Sequence, residues 1–240
     1  MLQTIRKIGP VLDLFTTECA DWGVAEVAAA LGIPRSSAHA LLASLVETGL
    51  LRSRGRGRYR VGWRVVELGE TLRGATDVRG FARPVMTELV RRFGETTQLA
   101  VWDRGRVLYV DRVAGTHPGS VLGVRGGARL APHTCAAGRA LLAFRERAEV
   151  ERYVAALPGG ASLAAELRKI ALAGCAFGAG EAVTEVHTVA APVRDEFGGV
   201  GAALTVTAPA SRFLPRRAEL RRAVSSAATE LSTRLALSGG

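Results

Sequence analysis

Nowhere in the 240 residues does an apolar run approach the ~18 residues that a membrane span requires, so no membrane association is expected. The N-terminal stretch MLQTIRKIGPVLDLF carries two basic residues but is broken by Gly9-Pro10 and lacks a long apolar core, which makes it a poor secretory signal. Cysteine is scarce: Cys19, Cys135 and Cys175 are an odd number with no CxxC pair. That argues against a disulfide framework and for a cytoplasmic location. His39, His117, His133 and His187 are scattered without metal-ligand spacing, so neither a metal nor a cofactor is expected. Lysine is nearly absent beside arginine, a choice that reads as coding bias as much as chemistry.

What is present suffices for one or two domains with real cores, since 48% of the residues are hydrophobic. The net charge is +10, but residues 1–74 hold only +3 of it, so the excess is spread along the chain. Its density is higher in one place. Residues 32–64 contain seven Arg and a single carboxylate, Glu47.

The same stretch has a regular local grammar. VAEVAAAL reads as a helix closed by Gly32, which can take the left-handed angles of a helix stop. Pro34 fits the first turn of a second helix, whose Ala38, Leu41, Leu42 and Leu45 fall at helical spacing before Gly49 ends it. Two short helices around a Gly-containing turn make a helix-turn-helix. LLRSRGRGRYRV then splits at Gly55 and Gly57 into two strand-like runs, a hairpin that would form a wing. Arg52, Arg54, Arg56, Arg58 and Arg60 recur at every second residue and project to one side wherever the segment is extended. A basic wing beside an amphipathic helix is the footprint of a binder of double-stranded DNA: phosphates meet the wing, base edges the helix.

Around this unit, residues 4–17 are expected to form a first helix carrying Ile8, Val11, Leu12, Leu14 and Phe15. WRVVELGETLRGA offers Val65, Val66, Leu68 and Leu72 on one face, suited to joining domains or pairing with its own copy. From about Phe81 a helix leads to a hairpin, TTQLAVWD and RVLYVDRV about Arg104-Gly105. After a Gly-rich loop come the Ala-rich helix CAAGRALLAF and two polar-faced helices over roughly 146–172. Two strands, VHTVAAPVRD and GVGAALTVTAP, and one long helix from Ser211 complete the pattern. Strands and helices without βαβ regularity indicate an α+β domain with a mainly antiparallel sheet.

Candidate chemistry is sparse. His133 and Cys135 put an imidazole near a thiol, but proximity in sequence alone does not make a nucleophilic pair. Thr205 and Thr207 share a strand face, where their hydroxyls could hold a polar ligand or simply meet solvent. GVRGGAR lacks the GK[ST] ending of a phosphate loop.

The order and spacing of EVAAALGIPRSSAHALLASLVETGLL, YRVGWRVVELG, RPVMTELVRRFGETTQLAVWD, VLYVDRV, PHTCAAGRALLA and VAAPVRDEFGGVGAALTVTAP resemble the IclR-type bacterial transcription regulators over nearly the whole chain. The resemblance implies a winged helix-turn-helix DNA-binding domain over 1–66, a linker helix over 67–80, and a GAF-like effector-binding and oligomerisation domain over 81–240. It implies a ligand-responsive regulator, a repressor type of protein rather than an enzyme, assembled as a homodimer or homotetramer. Arg35, Ser36 and Ser37 match the family's basic-Ser-Ser/Thr start of the recognition helix, with His39 on the same helix. Ala40 stands where a basic residue is common. For the effector pocket the matching positions are Thr188, Thr205 and Thr207, with Ala136, Ala137 and Gly138 on an opposing wall. Gly178 replaces a frequent acidic or Ser position, Glu181 matches a family Glu, and Cys135 and Arg139 replace a Thr or Ser and a Lys. Three hydroxyls beside a helix start would suit a small carboxylate or another polar group, with Leu99, Val101 and Leu204 as apolar lining if their faces point inward. Two other readings stay open: a C-terminal domain that only oligomerises, and an enzyme using Cys135 and His133.

Overall fold

The computed structural model describes residues 3–16, 18–74, 78–118, 123–180 and 185–238. Glu181 lies outside them. The chain divides into two compact units, Met1–Ala75 and Thr76–Gly240.

The first unit comprises α1 (Gln3–Asp13), β1 (Trp22–Gly23), α2 (Val24–Leu31), α3 (Arg35–Glu47), β2 (Leu51–Ser53), β3 (Arg58–Val61) and α4 (Arg64–Gly74). Helix α2 ends where the sequence places its stop: Gly32 sits at φ 62°, and its N–H reaches the carbonyls of Ala28 and Ala29. Pro34 stands one residue ahead of α3, as its N-cap in extended conformation, rather than inside the first turn. Ala38, Leu41, Leu42 and Leu45 turn inward onto Val11, Val27, Leu51 and Tyr59, the buried core of the unit. Ile8, Leu12, Leu14 and Phe15 pack against that core from partly exposed positions. Strand β3 is central in a three-stranded sheet of order β1-β3-β2. Arg52 is paired with Arg60 across β2 and β3, and Ser53 with Tyr59. Gly55, Arg56 and Gly57 all have positive φ at the hairpin tip, a geometry cheap for the glycines and unusual for Arg56.

The second unit comprises α5 (Val78–Phe93), β4 (Thr96–Asp103), β5 (Arg106–Val113), β6 (Arg129–Leu130), α6 (Ala136–Leu142), α7 (Arg147–Ala155), α8 (Gly160–Ala173), β7 (Ala176–Ala179), β8 (Val186–Arg194), β9 (Val200–Pro209), α9 (Ala210–Phe213) and α10 (Arg217–Ser238). Its six strands form one antiparallel sheet in the order β6-β5-β4-β9-β8-β7. Alternation along β9 separates two cores. Ala202, Leu204, Val206 and Ala208 face α5 and α10 with Phe93, Val224 and Leu231. Ala203 faces the other way, onto Ala137, Ala140 and Leu141 of α6. The long final helix expected from Ser211 is instead broken. Pro215, which has no N–H to give, lies in a tight 3₁₀ turn between α9 and α10.

Candidate functional site

On the first unit, the helical spacing that buries Leu41, Leu42 and Leu45 leaves Arg35, Ser36 and His39 exposed on α3, with Ser37 half-buried. These side chains are available to a groove. The wing is less uniform than its alternating arginines predict. Arg52, Arg54 and Arg56 are exposed, Arg52 lying 5.2 Å from the ring centre of Trp63. Arg58 and Arg60 are half-buried and committed to acids. Arg58 Nη1 donates to both oxygens of Glu26 at 2.7 Å, and its Nη2 to the Asp21 carbonyl at 2.8 Å. Arg60 forms a two-point pair with the Asp21 carboxylate. The cause is strand β1: it pairs on the far side of β3 and brings Asp21, just before it, and Glu26, in the first turn of α2 after it, alongside the wing, which the arginine spacing alone does not reveal.

These pairs shift the acids. Asp21 is held below the ordinary carboxylate value mainly by its hydrogen bond from Arg60. Glu26 is lowered first by the Gly23 N–H, which it caps at 2.8 Å, and then by Arg58.

On the second unit, one cavity lies on the α6 side of the sheet. Its walls are Gln98 of β4, Tyr109 of β5, Gly123 and Val124 of the following loop, Cys135 and Ala136 at the start of α6, Gly178 of β7, and Val186, Thr188 and Thr207 of β8 and β9. It offers ≈ 30 Å³ to the centres of water-sized spheres, room for about two waters. Thr188 and Thr207 are register partners, and their hydroxyls meet at 3.0 Å. The Gln98 side chain spans to the loop, donating from Nε2 to the Val124 carbonyl at 2.5 Å and accepting the Val124 N–H at 3.2 Å. Gly123 takes φ 114°, and a Cβ there would lie 2.4 Å from Gln98 Oε1, so the main chain approaches this closely only as glycine.

The expected pocket is thus only partly assembled. Thr188, Thr207 and Ala136 line the cavity; Thr205, Ala137 and Gly138 do not. Thr205 is on the same sheet face but fully buried, its hydroxyl donating to the Gln98 carbonyl at 3.3 Å. Ala137 is packed in the core on that side. Gly138 permits α6 to lie on the 3₁₀ turn before it, since a Cβ would meet the Pro132 carbonyl oxygen at 2.2 Å. Leu99, Val101 and Leu204 belong to the opposite face, as strand alternation requires. The start of α6 is a poor seat for a carboxylate, because Cys135 Sγ already accepts the Gly138 N–H at 3.4 Å and the helix has only seven residues.

His133 and Cys135 each have a partner of their own. His133 Nδ1 is 2.7 Å from the Tyr153 hydroxyl, while the Cys135 sulfur caps α6. Arg139, 4% exposed, joins Glu166 of α8 at 2.9 Å and donates to the carbonyls of His133 and Phe177. Among the described residues no group of His, Cys, Asp and Glu could hold a metal ion, and no helix is long and apolar enough to cross a membrane.

Comparison with known proteins places both units. Residues 71–233 match the family model described as bacterial transcriptional regulator IclR C-terminal, and residues 4–55 match the IclR helix-turn-helix domain. The HTH-type transcriptional regulator XynR of Escherichia coli K12 is 29% identical over 223 residues, 88% of either chain. The HTH-type transcriptional regulator Rv1719 of Mycobacterium tuberculosis is 31% identical over 240 residues, covering 93% of this chain and 88% of that one. Among solved structures, an IclR homologue from Microbacterium hydrocarbonoxydans complexed with 4-hydroxybenzoate shares 27% identity at a TM-score of 0.83, over 97% of this chain and 98% of that one. A regulator from Alicyclobacillus acidocaldarius, 20% identical, shares the fold at a TM-score of 0.84 over 97% of this chain and 98% of that one.

Proposed function

The chain belongs to the IclR family of bacterial transcription regulators, and from that premise we propose that it is a cytoplasmic, ligand-responsive repressor of genes for small-molecule metabolism. The observation that carries this reading is the pairing, in one chain, of an exposed helix-turn-helix surface with a small cavity lined by Gln98, Thr188 and Thr207 in a separate unit. Arg35, Ser36, Ser37 and His39 are the candidates for base and phosphate contact in the major groove, and Arg52, Arg54 and Arg56 for phosphate contact. The effector is a small polar molecule held by Thr188 and Thr207 against Ala136. The working assembly is a homodimer or homotetramer. Leu72 is 65% exposed, and with Val65, Val66 and Leu68 it leaves α4 an apolar face suited to a second copy, with Trp63, 70% exposed, just before the helix. The division is 1–66 for DNA, 67–80 as linker and 81–240 for effector and assembly. The protein works by binding and not by catalysis, as its relatives' names as transcriptional regulators support.

Mapping the chain's binding sites across its source genome tests this. Discrete sites with two-fold related half-sites, about one helical turn or a multiple apart, are expected. Scattered occupancy without a shared motif would overturn it. A C-terminal domain that only oligomerises would show the same sites and no thermal shift with any metabolite of the neighbouring genes.

A further inference from the structure

We propose that the cavity of the second unit takes a neutral ligand carrying a hydrogen-bond donor beside an acceptor, an amide, lactam or ureide, and that Gln98 is the residue that selects it. The proposal rests on the reading of this cavity as the effector site and names the ligand class. Two observations carry it.

The first is charge. None of the described residues lining the cavity is Asp, Glu, Lys, Arg or His. The buried Arg139 of α6, the helix that starts at the cavity wall, is paired with Glu166 and with two carbonyls. A carboxylate entering here would give up part of its hydration and meet no countercharge among the described lining residues, which is costly in a partly enclosed site. A neutral polar ligand pays far less.

The second is the pattern of donors and acceptors. Gln98 is 2% exposed, and its primary amide currently holds both the N–H and the C=O of Val124. The side chain thus presents one donor and one acceptor to the main chain of Val124, whose N–H and C=O belong to successive peptide units. A primary amide, lactam or ureide carries an N–H and a C=O cis to each other, a complementary pair that can take the place of Val124 on Gln98. The Thr188 and Thr207 hydroxyls, now joined to each other, remain for a further polar atom. A carboxylate offers acceptors alone. It would satisfy Gln98 Nε2 but set an anionic oxygen against Oε1, whereas displacement of Val124 is common to both ligands. Specificity follows from the group left unmatched by the wrong ligand.

The test uses the full-length protein and isosteric pairs sized to the cavity: formamide and formate, acetamide and acetate, propionamide and propionate. Binding is followed by calorimetry and by amide hydrogen exchange at Val124. At least one amide is expected to bind about ten- to hundredfold more tightly than its carboxylate twin, the span that one or two unmatched buried groups produce. Its binding should speed exchange at Val124 and be insensitive to pH across neutrality. Gln98→Met, of similar volume, should bring the members of the pair towards parity. Because that variant could perturb folding, the exchange at Val124 in the wild type stands as the independent readout. A carboxylate that binds more tightly than its amide while accelerating Val124 exchange overturns the neutral class and leaves the effector site in place. An amide that binds without altering Val124 exchange overturns the role of Gln98. If no member of either series binds, both the proposal and the cavity as a site for small polar ligands fall.

Discussion

Arg58 of the wing and Glu26 of α2 form a forked ion pair, with one guanidinium nitrogen 2.7 Å from each carboxylate oxygen. The same carboxylate caps the Gly23 N–H, so a single acid ties the hairpin to the start of the helix-turn-helix. The basic wing is therefore two populations: Arg54 and Arg56 at the tip, and Arg58 and Arg60 at the root, which must leave an acid before they can meet a phosphate.

That division predicts unequal salt dependence. Arg54→Ala and Arg56→Ala should each flatten the slope of log affinity against log salt by about 0.9 per lost phosphate contact. Arg58→Ala and Arg60→Ala should change the slope less and lower the melting temperature of the DNA-free protein instead. Equal flattening by all four would show that the root arginines exchange their acids for phosphates.

The acids themselves predict a pH dependence. Glu26 and Asp21 both titrate below their ordinary values of 4.5 and 3.8 in the folded unit. A depressed folded value means that the stabilisation is complete above the unfolded value and disappears as pH falls through the folded one. Thermal melts of the first unit's signal should therefore hold from about pH 7 to 5 and fall below about pH 4.5. In Glu26→Gln and Asp21→Asn that acid-dependent decline should shrink; a melt curve as steep as wild type in the double variant would place the effect elsewhere.

Most of the first unit was legible because its determinants are local. Gly32, Gly49 and the spacing of Ala38, Leu41, Leu42 and Leu45 act within a few residues of themselves. The ion pairs of the wing were not, because Asp21 and Glu26 reach Arg60 and Arg58 across more than thirty positions. In the second unit the longer strands could be read from alternation, whereas β6 and β7, of two and four residues, carry too little pattern. The cavity was half legible: a resemblance finds Thr188 and Thr207, but the partner of each hydroxyl decides which threonine faces inward. Gln98, which lines the cavity, is not singled out by the sequence. It sits in a strand named only for its apolar alternation, and its partner Val124 lies in a loop without periodicity.

Gly138 offers a test of packing against binding. A methyl group there meets the Pro132 carbonyl oxygen at 2.2 Å and the Pro132 Cα at 2.6 Å, both backbone atoms that cannot swing away. Gly138→Ala should destabilise the second unit by about 1–3 kcal/mol, the ordinary cost of overpacking. Chemical denaturation measures it. A neutral result would show that the turn can shift.

The exposed face of α4 predicts assembly. Leu68 and Leu72 are 51% and 65% exposed and lie one helical turn apart. Replacing both with Glu should shift sedimentation of the full chain towards smaller species and weaken operator binding at low protein concentration. The helix itself should persist by circular dichroism. Unchanged sedimentation would assign pairing to another surface.

The threonines separate a structural hydroxyl from a ligand-binding one. Thr205 and Thr207 look equivalent in sequence, both on one face of β9, yet their hydroxyls are differently employed. The Thr205 hydroxyl donates to the Gln98 carbonyl within the sheet, 0% exposed, and so contributes to folding. That of Thr207 lies on the cavity wall and shares its bond with Thr188, a hydroxyl that can reorient towards an incoming group at little cost. Valine preserves the shape at each position while removing the oxygen. Thr205→Val should therefore lower stability by about 0.5–1.5 kcal/mol, the net value of one neutral hydrogen bond, and leave the effector concentration for half-response unchanged. Thr207→Val should weaken the effector response by a similar free energy, roughly a two- to tenfold rise in that concentration, without altering operator binding in its absence. Titrating operator release in both variants, with a denaturation curve for each, decides the matter. If Thr205→Val shifts the response and Thr207→Val does not, the ligand enters deeper along β9 than the cavity walls indicate, and the hydroxyl on the Gln98 carbonyl is the one it recruits.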